Sequence, residues 1–314
     1  MKMSKASQDR CFTMMQPTEK LKKEPVKTDF SRHSYELIDF GSGRKLERFA
    51  GLVLDRPCPA AEGSKRLRVS SWKQPDLVFR SDPKPAWSTS KSKEDSSGGW
   101  LFRWETLSME LRTSSFGHVG LFPEQISNWR WMQSLSNSRK SKFPLKSLNL
   151  FGYTGGSSLA LAASGWQVTH VDASRPTVQW ARKNAKLSDL EAAPIRWIID
   201  DVRDFVNREA KRGEKYDLVL MDPPAYGHGK DGQGWSLERD LEGLVDDCIK
   251  LLQPKSSMLI TGHSPIPAIE KGPFTDLTWK RFASKFSHNS KHAVSLSDTS
   301  QRKLDFGYAY RFWN

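Results

Sequence analysis

The chain has 314 residues, 37% of them hydrophobic, with a formal net charge of +13 and a pI near 9.6. That length allows one large core plus a smaller module, and the composition excludes a chain that is disordered throughout. A basic surface gains free energy by displacing counterions from phosphates, so nucleic acid is the leading partner; a basic face kept for solubility is the rival reading. The three cysteines, Cys11, Cys58 and Cys248, form no CxxC pair and sit at no zinc-ligand spacing with a histidine, so neither a disulfide scaffold nor a bound metal is expected. No apolar stretch is long enough to cross a bilayer, and the first 32 residues lack the apolar core of a secretory signal. The expectation is a cytoplasmic, reducing setting without membrane association.

Residues 1–32 mix lysine with glutamate, proline and threonine, which reads as a disordered basic tail. Short segments with partial alternation follow at Tyr35 to Phe40, Leu46 to Leu54, Arg66 to Trp72 and Trp100 to Leu111, separated by glycine, proline and serine clusters. They predict a small antiparallel β module over 33–118, interrupted by a mobile loop over 81–99. From Pro144 onward strand-like runs alternate with helical periods, the pattern of an α/β domain with a mainly parallel sheet, assigned to 119–314. Strands are expected at Ser147 to Tyr153, Gln167 to Ala173, Ile195 to Asp200, Tyr216 to Asp222 and Ser257 to Thr261, with His292 to Leu296 and Leu304 to Phe312 closing a sheet of seven. Helices are expected at Ser158 to Ala163, Arg175 to Leu187, Val202 to Lys211 and Leu237 to Leu252. In the last, Leu237, Leu241, Leu244, Val245, Cys248, Leu251 and Leu252 share one face, which makes Cys248 a core residue rather than a nucleophile.

The first strand-to-helix turn, FGYTGGSS, places Gly152, Gly155 and Gly156 where the chain must reverse and let a ligand approach the backbone. The spacing is neither GxGxxG nor a Walker A loop, which weakens a dinucleotide or nucleotide triphosphate reading. Acids recur at successive strand ends: Asp172 after the second strand, Asp201 after the third and Asp222 after the fourth. Ligands of open α/β sheets bind at that carboxyl edge. A carboxylate at the second strand can accept both ribose hydroxyls of an adenosine, and one after the third can accept the adenine amino group. The competing role for Asp172 or Asp201 is to cap the following helix, and Ser174 competes for the first cap. The fourth strand ends in Asp222-Pro223-Pro224-Ala225-Tyr226, a rigid outward turn able to present a carbonyl and an aromatic face to a flat substrate.

The segments LNLFGYTGGSSLALAASGWQVTHVDAS, WARKNA, DDVRDF, KYDLVLMDPPAY and FGYAYRFW resemble the large-subunit ribosomal RNA methyltransferase I and K-like family of class I enzymes. The upstream run HVGLFPEQISNW is similar to the family segment that precedes the cofactor domain; Gln125 matches its glutamine, while Ile126 and Trp129 stand where the family carries two arginines. The resemblance implies a β module before a Rossmann-like class I sheet, S-adenosylmethionine as methyl donor and a nucleobase of RNA as acceptor. It implies that Phe151, Gly152, Tyr153, Thr154, Gly155 and Gly156 hold the methionine part, Asp172 the ribose and Asp201 the adenine. Asp222, Pro223, Pro224 and Tyr226 would face the reacting base, with Asp222 also bordering the cofactor.

Members of the family that make 5-methylcytosine carry a cysteine in a Thr-Cys-Ser motif; here the matching run is Thr261-Gly262-His263-Ser264. Carbon 5 of cytosine needs a thiolate adduct, whereas a nitrogen needs only alignment, so direct transfer to nitrogen is expected. His228 and His263 are further candidates for polar contact, ordinary loop histidines being the alternative. Glycines at 227, 229, 232 and 234 suggest a loop that orders over substrate. Trp129, Trp131 and Trp235 read first as packing and second as base-stacking platforms; Lys280, Arg281, Lys285 and Lys291 are phosphate-contact candidates or a charged helix face. The main expectation is an RNA base methyltransferase acting on ribosomal RNA. The alternatives are a methyltransferase for a planar nitrogen of a protein or small molecule, and an RNA-binding protein without turnover.

Overall fold

The computed structural model describes residues 35–81, 84–89, 99–138, 143–227, 234–263 and 276–314. The expected tail, His228 and part of the loop expected at 81–99 lie outside them. The chain starts with β1 (Tyr35–Gly41), β2 (Arg44–Phe49) and β3 (Leu52–Pro57), an antiparallel meander. β4 (Leu77–Arg80) and β5 (Ala86–Thr89) complete a five-stranded sheet, in which β3 and β4 share a short parallel register. β6 (Trp100–Trp104) and β7 (Leu107–Leu111) form a separate hairpin.

Three expectations are corrected in this module. The run Leu46 to Leu54 is two strands, because Ala50 and Gly51 take φ of 46° and 96° and turn the chain between β2 and β3. Trp100 to Leu111 likewise reverses at Glu105, with φ of 50°. Arg66 to Trp72 is no strand: its donors are captured by the fully buried Asp39, whose carboxylate accepts from Leu67 N–H (3.1 Å), Arg68 N–H (2.9 Å) and the Trp72 indole (2.7 Å). A buried carboxylate must find donors, and here that demand outweighs β propensity.

Helix α1 (Ile126–Ser138), which strand alternation did not mark, leads into β8 (Lys146–Leu150), α2 (Gly156–Ala163), β9 (Gln167–Asp172), α3 (Arg175–Leu187), β10 (Ile195–Ile199), α4 (Val202–Arg212) and β11 (Tyr216–Met221). A two-residue ribbon of β12 (Tyr226–Gly227) and β13 (Trp235–Ser236) precedes α5 (Leu237–Lys250), β14 (Leu252–His263), α6 (Asp276–Ala283), β15 (His288–Ser297) and β16 (Lys303–Trp313). The seven-stranded sheet runs β10-β9-β8-β11-β14-β16-β15, parallel from β10 to β14, with β16 antiparallel to both its neighbours. This is the α/β architecture with a mainly parallel sheet expected from the alternation of elements, in the Rossmann-like class I form that the resemblance implies.

Alternation along β11 builds both layers of core. Leu218 and Leu220 belong to a cluster shared with α1, α2 and the β module, while Val219 and Met221 belong to the one shared with α4 and α5, where Cys248 is fully buried. The β module is tied to the far edge of the sheet through Arg302, which pairs with Asp298 (2.7 Å) and Asp39 and donates to the Lys65 carbonyl (2.7 Å). Among the described residues, no helix is long and apolar enough to cross a membrane.

Within the module Glu47 is fully buried and bonded to Arg56 (2.7 Å), Lys45 (3.0 Å) and the Tyr35 hydroxyl (2.8 Å). Burial works against its charge, but Arg56 and then Lys45 hold its carboxyl below the usual range. Replacing Glu47 with alanine strands two buried cations, and the expected loss is about 3–5 kcal/mol, read as a lower midpoint in urea unfolding. A loss within 0.5 kcal/mol, the range of ordinary surface substitutions, would refute this role for the network.

Candidate active site

The strand order reverses between β8 and β11: from β8 the chain crosses to β9 and β10 on one side, then returns to β11 on the other. Their diverging crossovers leave a crevice at the carboxyl ends. Its floor is the turn after β8. Phe151, Tyr153 and Gly155 take φ of 56°, 51° and 93°, so three residues of five are left-handed. For the two aromatic residues such backbone costs about 1–3 kcal/mol each and must be held by bonds. Gly152 N–H donates to the Val171 carbonyl (3.0 Å), and Tyr153 N–H donates to Asp172 (2.9 Å), whose other oxygen accepts from Ser174 N–H (2.9 Å). Burial pushes the Asp172 carboxyl up, partly offset by those two donors. The Thr154 hydroxyl donates to the Gly120 carbonyl (2.5 Å), drawing the segment before α1 over the crevice.

Phe151, Gly152, Tyr153, Thr154, Gly156 and Asp222 line one cleft, joined by Phe122, Gln125 and Trp129 from the segment around the start of α1. Gly155 and Asp172 sit behind this lining and shape the turn. Two glycines are required by space: a Cβ at Gly152 would overlap the His170 imidazole, and one at Gly156 would lie 2.5 Å from the Trp129 ring. Asp201 stands apart from the cleft lining. It caps α4 through Arg203 N–H (2.9 Å) and also pairs with the Arg203 guanidinium (2.8 Å), which holds its carboxyl below the usual range. Ser174, not Asp172, caps α3.

At the end of β11, Asp222 Oδ2 accepts from Gln125 Nε2 (3.3 Å) and faces His263 Nε2 (3.7 Å), while Oδ1 is buried without a partner. The Pro223-Pro224 turn is braced from behind, where the Trp235 indole donates to the Pro224 carbonyl (2.7 Å) and packs on Phe151 at 4.9 Å. The Pro224 carbonyl is therefore committed to Trp235. Tyr226 projects beyond the turn, 78% exposed. Sequence reading missed Glu124, 2% exposed in the turn just before α1, with its Oε1 3.6 Å from His263 Nδ1; its position beside Gln125 was the available signal. Trp129 and Trp235 are buried packing residues, and Arg281 pairs with Glu242 (2.6 Å) and Asp246 (3.0 Å) as part of a charged face.

The S-adenosylmethionine-dependent methyltransferase family model matches residues 74–277. A ribosomal RNA large subunit methyltransferase K/L of Hahella chejuensis is 33% identical over 153 residues, 48% of this chain and 20% of that protein. Its Shewanella frigidimarina counterpart is 31% identical over 118 residues, 37% of this chain and 16% of that one. The chain thus spans about a fifth of the length of the curated relatives it matches. The crystal structure of a methyltransferase dependent on S-adenosylmethionine from Agrobacterium tumefaciens superposes with a TM-score of 0.81 at 33% identity, covering 89% of this chain and 90% of that one. A putative methyltransferase from Streptococcus mutans shares the fold, with a TM-score of 0.65 at 15% identity over 90% and 76% of the two chains.

Gly152→Ala is expected to cost about 1–3 kcal/mol and to abolish the rise in Tm that S-adenosylmethionine gives the native chain. An undiminished rise would show that the turn does not form the cofactor site. With the family model covering most of the described chain, from β4 to α6, this protein belongs to the S-adenosylmethionine-dependent methyltransferase family.

Proposed function

We propose that the chain methylates a nitrogen of an RNA base, in ribosomal RNA, by direct in-line transfer. The observation that carries this is Asp222: its Oδ1 is buried and unpartnered beside the cleft, at the head of a proline-stiffened turn that ends in an exposed tyrosine. An unpaired carboxylate oxygen is costly to bury unless a ligand supplies a donor, and the N–H of a base amine or ring is such a donor. The net charge of +13 and the names of the curated relatives support RNA as the acceptor. Tyr226 offers a face on which a splayed base can stack.

We assign Phe151 to Gly156 to the methionine end of the cofactor, because all of them but Gly155 line the cleft and their left-handed backbone keeps the turn narrow there. Asp172 is assigned to the ribose: an ionised carboxylate has about four acceptor sites, and two are used by backbone donors. Asp201 is assigned to the adenine end on the resemblance of the DDVRDF run alone, since its oxygens cap α4 and pair with Arg203. S-adenosylmethionine supplies an electrophilic methyl on sulfur. The chain's part is to hold the acceptor nitrogen in line and to take up its proton or hydrogen bond at Asp222. A cysteine adduct finds no support among the described residues: Cys58 and Cys248 are buried, and burial raises both thiols.

The test is transfer of a labelled methyl group into ribosomal subunits, transfer RNA and total protein, followed by nucleoside mass spectrometry. Label in an N-methylated ribosomal nucleoside is expected. Label confined to protein, or recovered as 5-methylcytosine, would overturn the proposal. Asp222→Asn should lower kcat about 10²- to 10⁴-fold, and Asp172→Ala should weaken cofactor affinity while leaving the base-binding residues in place.

A further inference from the structure

His263 lies between two acids from different elements, Glu124 before α1 and Asp222 after β11. The gaps of 3.6 and 3.7 Å attract the ring but exceed hydrogen-bond length, so neither ring nitrogen is committed to an acid. The imidazole is 41% exposed, whereas Glu124 behind it is 2% exposed and its Oε2 has no partner. Phe122, part of the cleft lining, packs on the ring at 5.0 Å. Thr261, also in the lining, is two residues upstream on β14.

We infer that His263 is a specificity residue that donates a hydrogen bond to the acceptor base, with Glu124 as the buried positioning residue that keeps the ring charged. His263 and Asp222 then offer a donor and an acceptor side by side. They select a base edge on which a lone pair on oxygen or nitrogen adjoins an N–H, as on a Watson–Crick edge, and disfavour an edge with two acceptors. His263 keeps its proton throughout; the proton released from the methylated nitrogen goes to Asp222 or solvent. This inference rests on the RNA-base reading above.

The surrounding charges agree. Burial disfavours the charged ring, but Asp222 and then Glu124 outweigh it and hold His263 up to about 9, against a smaller opposing effect of Lys45. Two other titratable groups lie near: His118, which burial and Arg56 push down to about 4, and Tyr308, whose hydroxyl burial pushes up. Both are neutral at physiological pH. A raised histidine favours the folded, charged state fully below its ordinary value of 6.5, and that contribution fades as pH rises through about 9.

The experiment is an NMR titration of His263 in the full chain, assigned by its loss in His263→Gln, together with the pH profile of kcat/KM on ribosomal subunits. His263 should titrate near 9. Glu124→Gln should lower that value by about 1–3 pH units and move the alkaline limb of kcat/KM with it. His263→Gln, an exposed change that spares the core, should remove the limb, and His263→Ala should lower kcat/KM about 10- to 100-fold. A His263 that titrates at or below 6.5, or an alkaline limb unmoved in Glu124→Gln, would overturn the inference. Label entering no RNA would instead overturn the acceptor reading beneath it, whatever the titration shows.

Discussion

Asp172 accepts backbone N–H bonds from Tyr153 and Ser174, and through them it joins the end of β8 to the end of β9. The turn after β8 holds two aromatic residues in left-handed backbone, a conformation that local propensity opposes. Without the carboxylate, the amide of Tyr153 would lose its partner inside the fold and the strain would be uncompensated. With it, the turn stays narrow, α2 starts at Gly156, and the crevice between β8 and β11 keeps an open mouth. The floor of the cleft follows from that position, while β11 places Asp222 and the Thr154–Gly120 bond draws in the segment before α1.

The β module is coupled to this crevice through charge as well as packing. Its buried cations Lys45 and Arg56 neutralise Glu47, and the charge of Glu124 also acts on Arg56. Glu124 can therefore be buried next to the cleft without isolation in a low dielectric. A module that looks like an accessory in sequence thus contributes charge beside the cleft. The same apolar cluster runs from its strands into α1 and α2, so movement of the module would be felt at Trp129 and at the glycine turn it packs against.

Much of the sheet was legible because both its signals are local. Short apolar runs such as Tyr216 to Met221 and helical periods such as Arg175 to Leu187 state their own geometry, and burial on two faces demands their alternation in space. The segments that were misread depend on partners remote in sequence. Arg66 to Trp72 has strand-like composition, but the buried carboxylate that claims its donors is at Asp39. The break after Trp104 turns on Glu105, which is neither glycine nor proline, and the break after Phe49 sets a left-handed Ala50 beside its one glycine, Gly51.

At the site, sequence by itself determined the inventory: a glycine turn that tolerates close approach, acids at successive strand ends, a stiff DPPAY turn and no cysteine in the run Thr261 to Ser264. These rest on residue type and spacing within single connections, where short-range sterics suffice. Only the tertiary structure decided how the acids divide. Asp172 braces the turn, Asp201 caps a helix and pairs with Arg203, and Asp222 keeps an oxygen unpartnered at the cleft. It alone brought Glu124 within 3.6 Å of His263, 139 positions away along the chain. The field on a titratable group sums over neighbours in space, and the fold, not the order of residues, selects those neighbours.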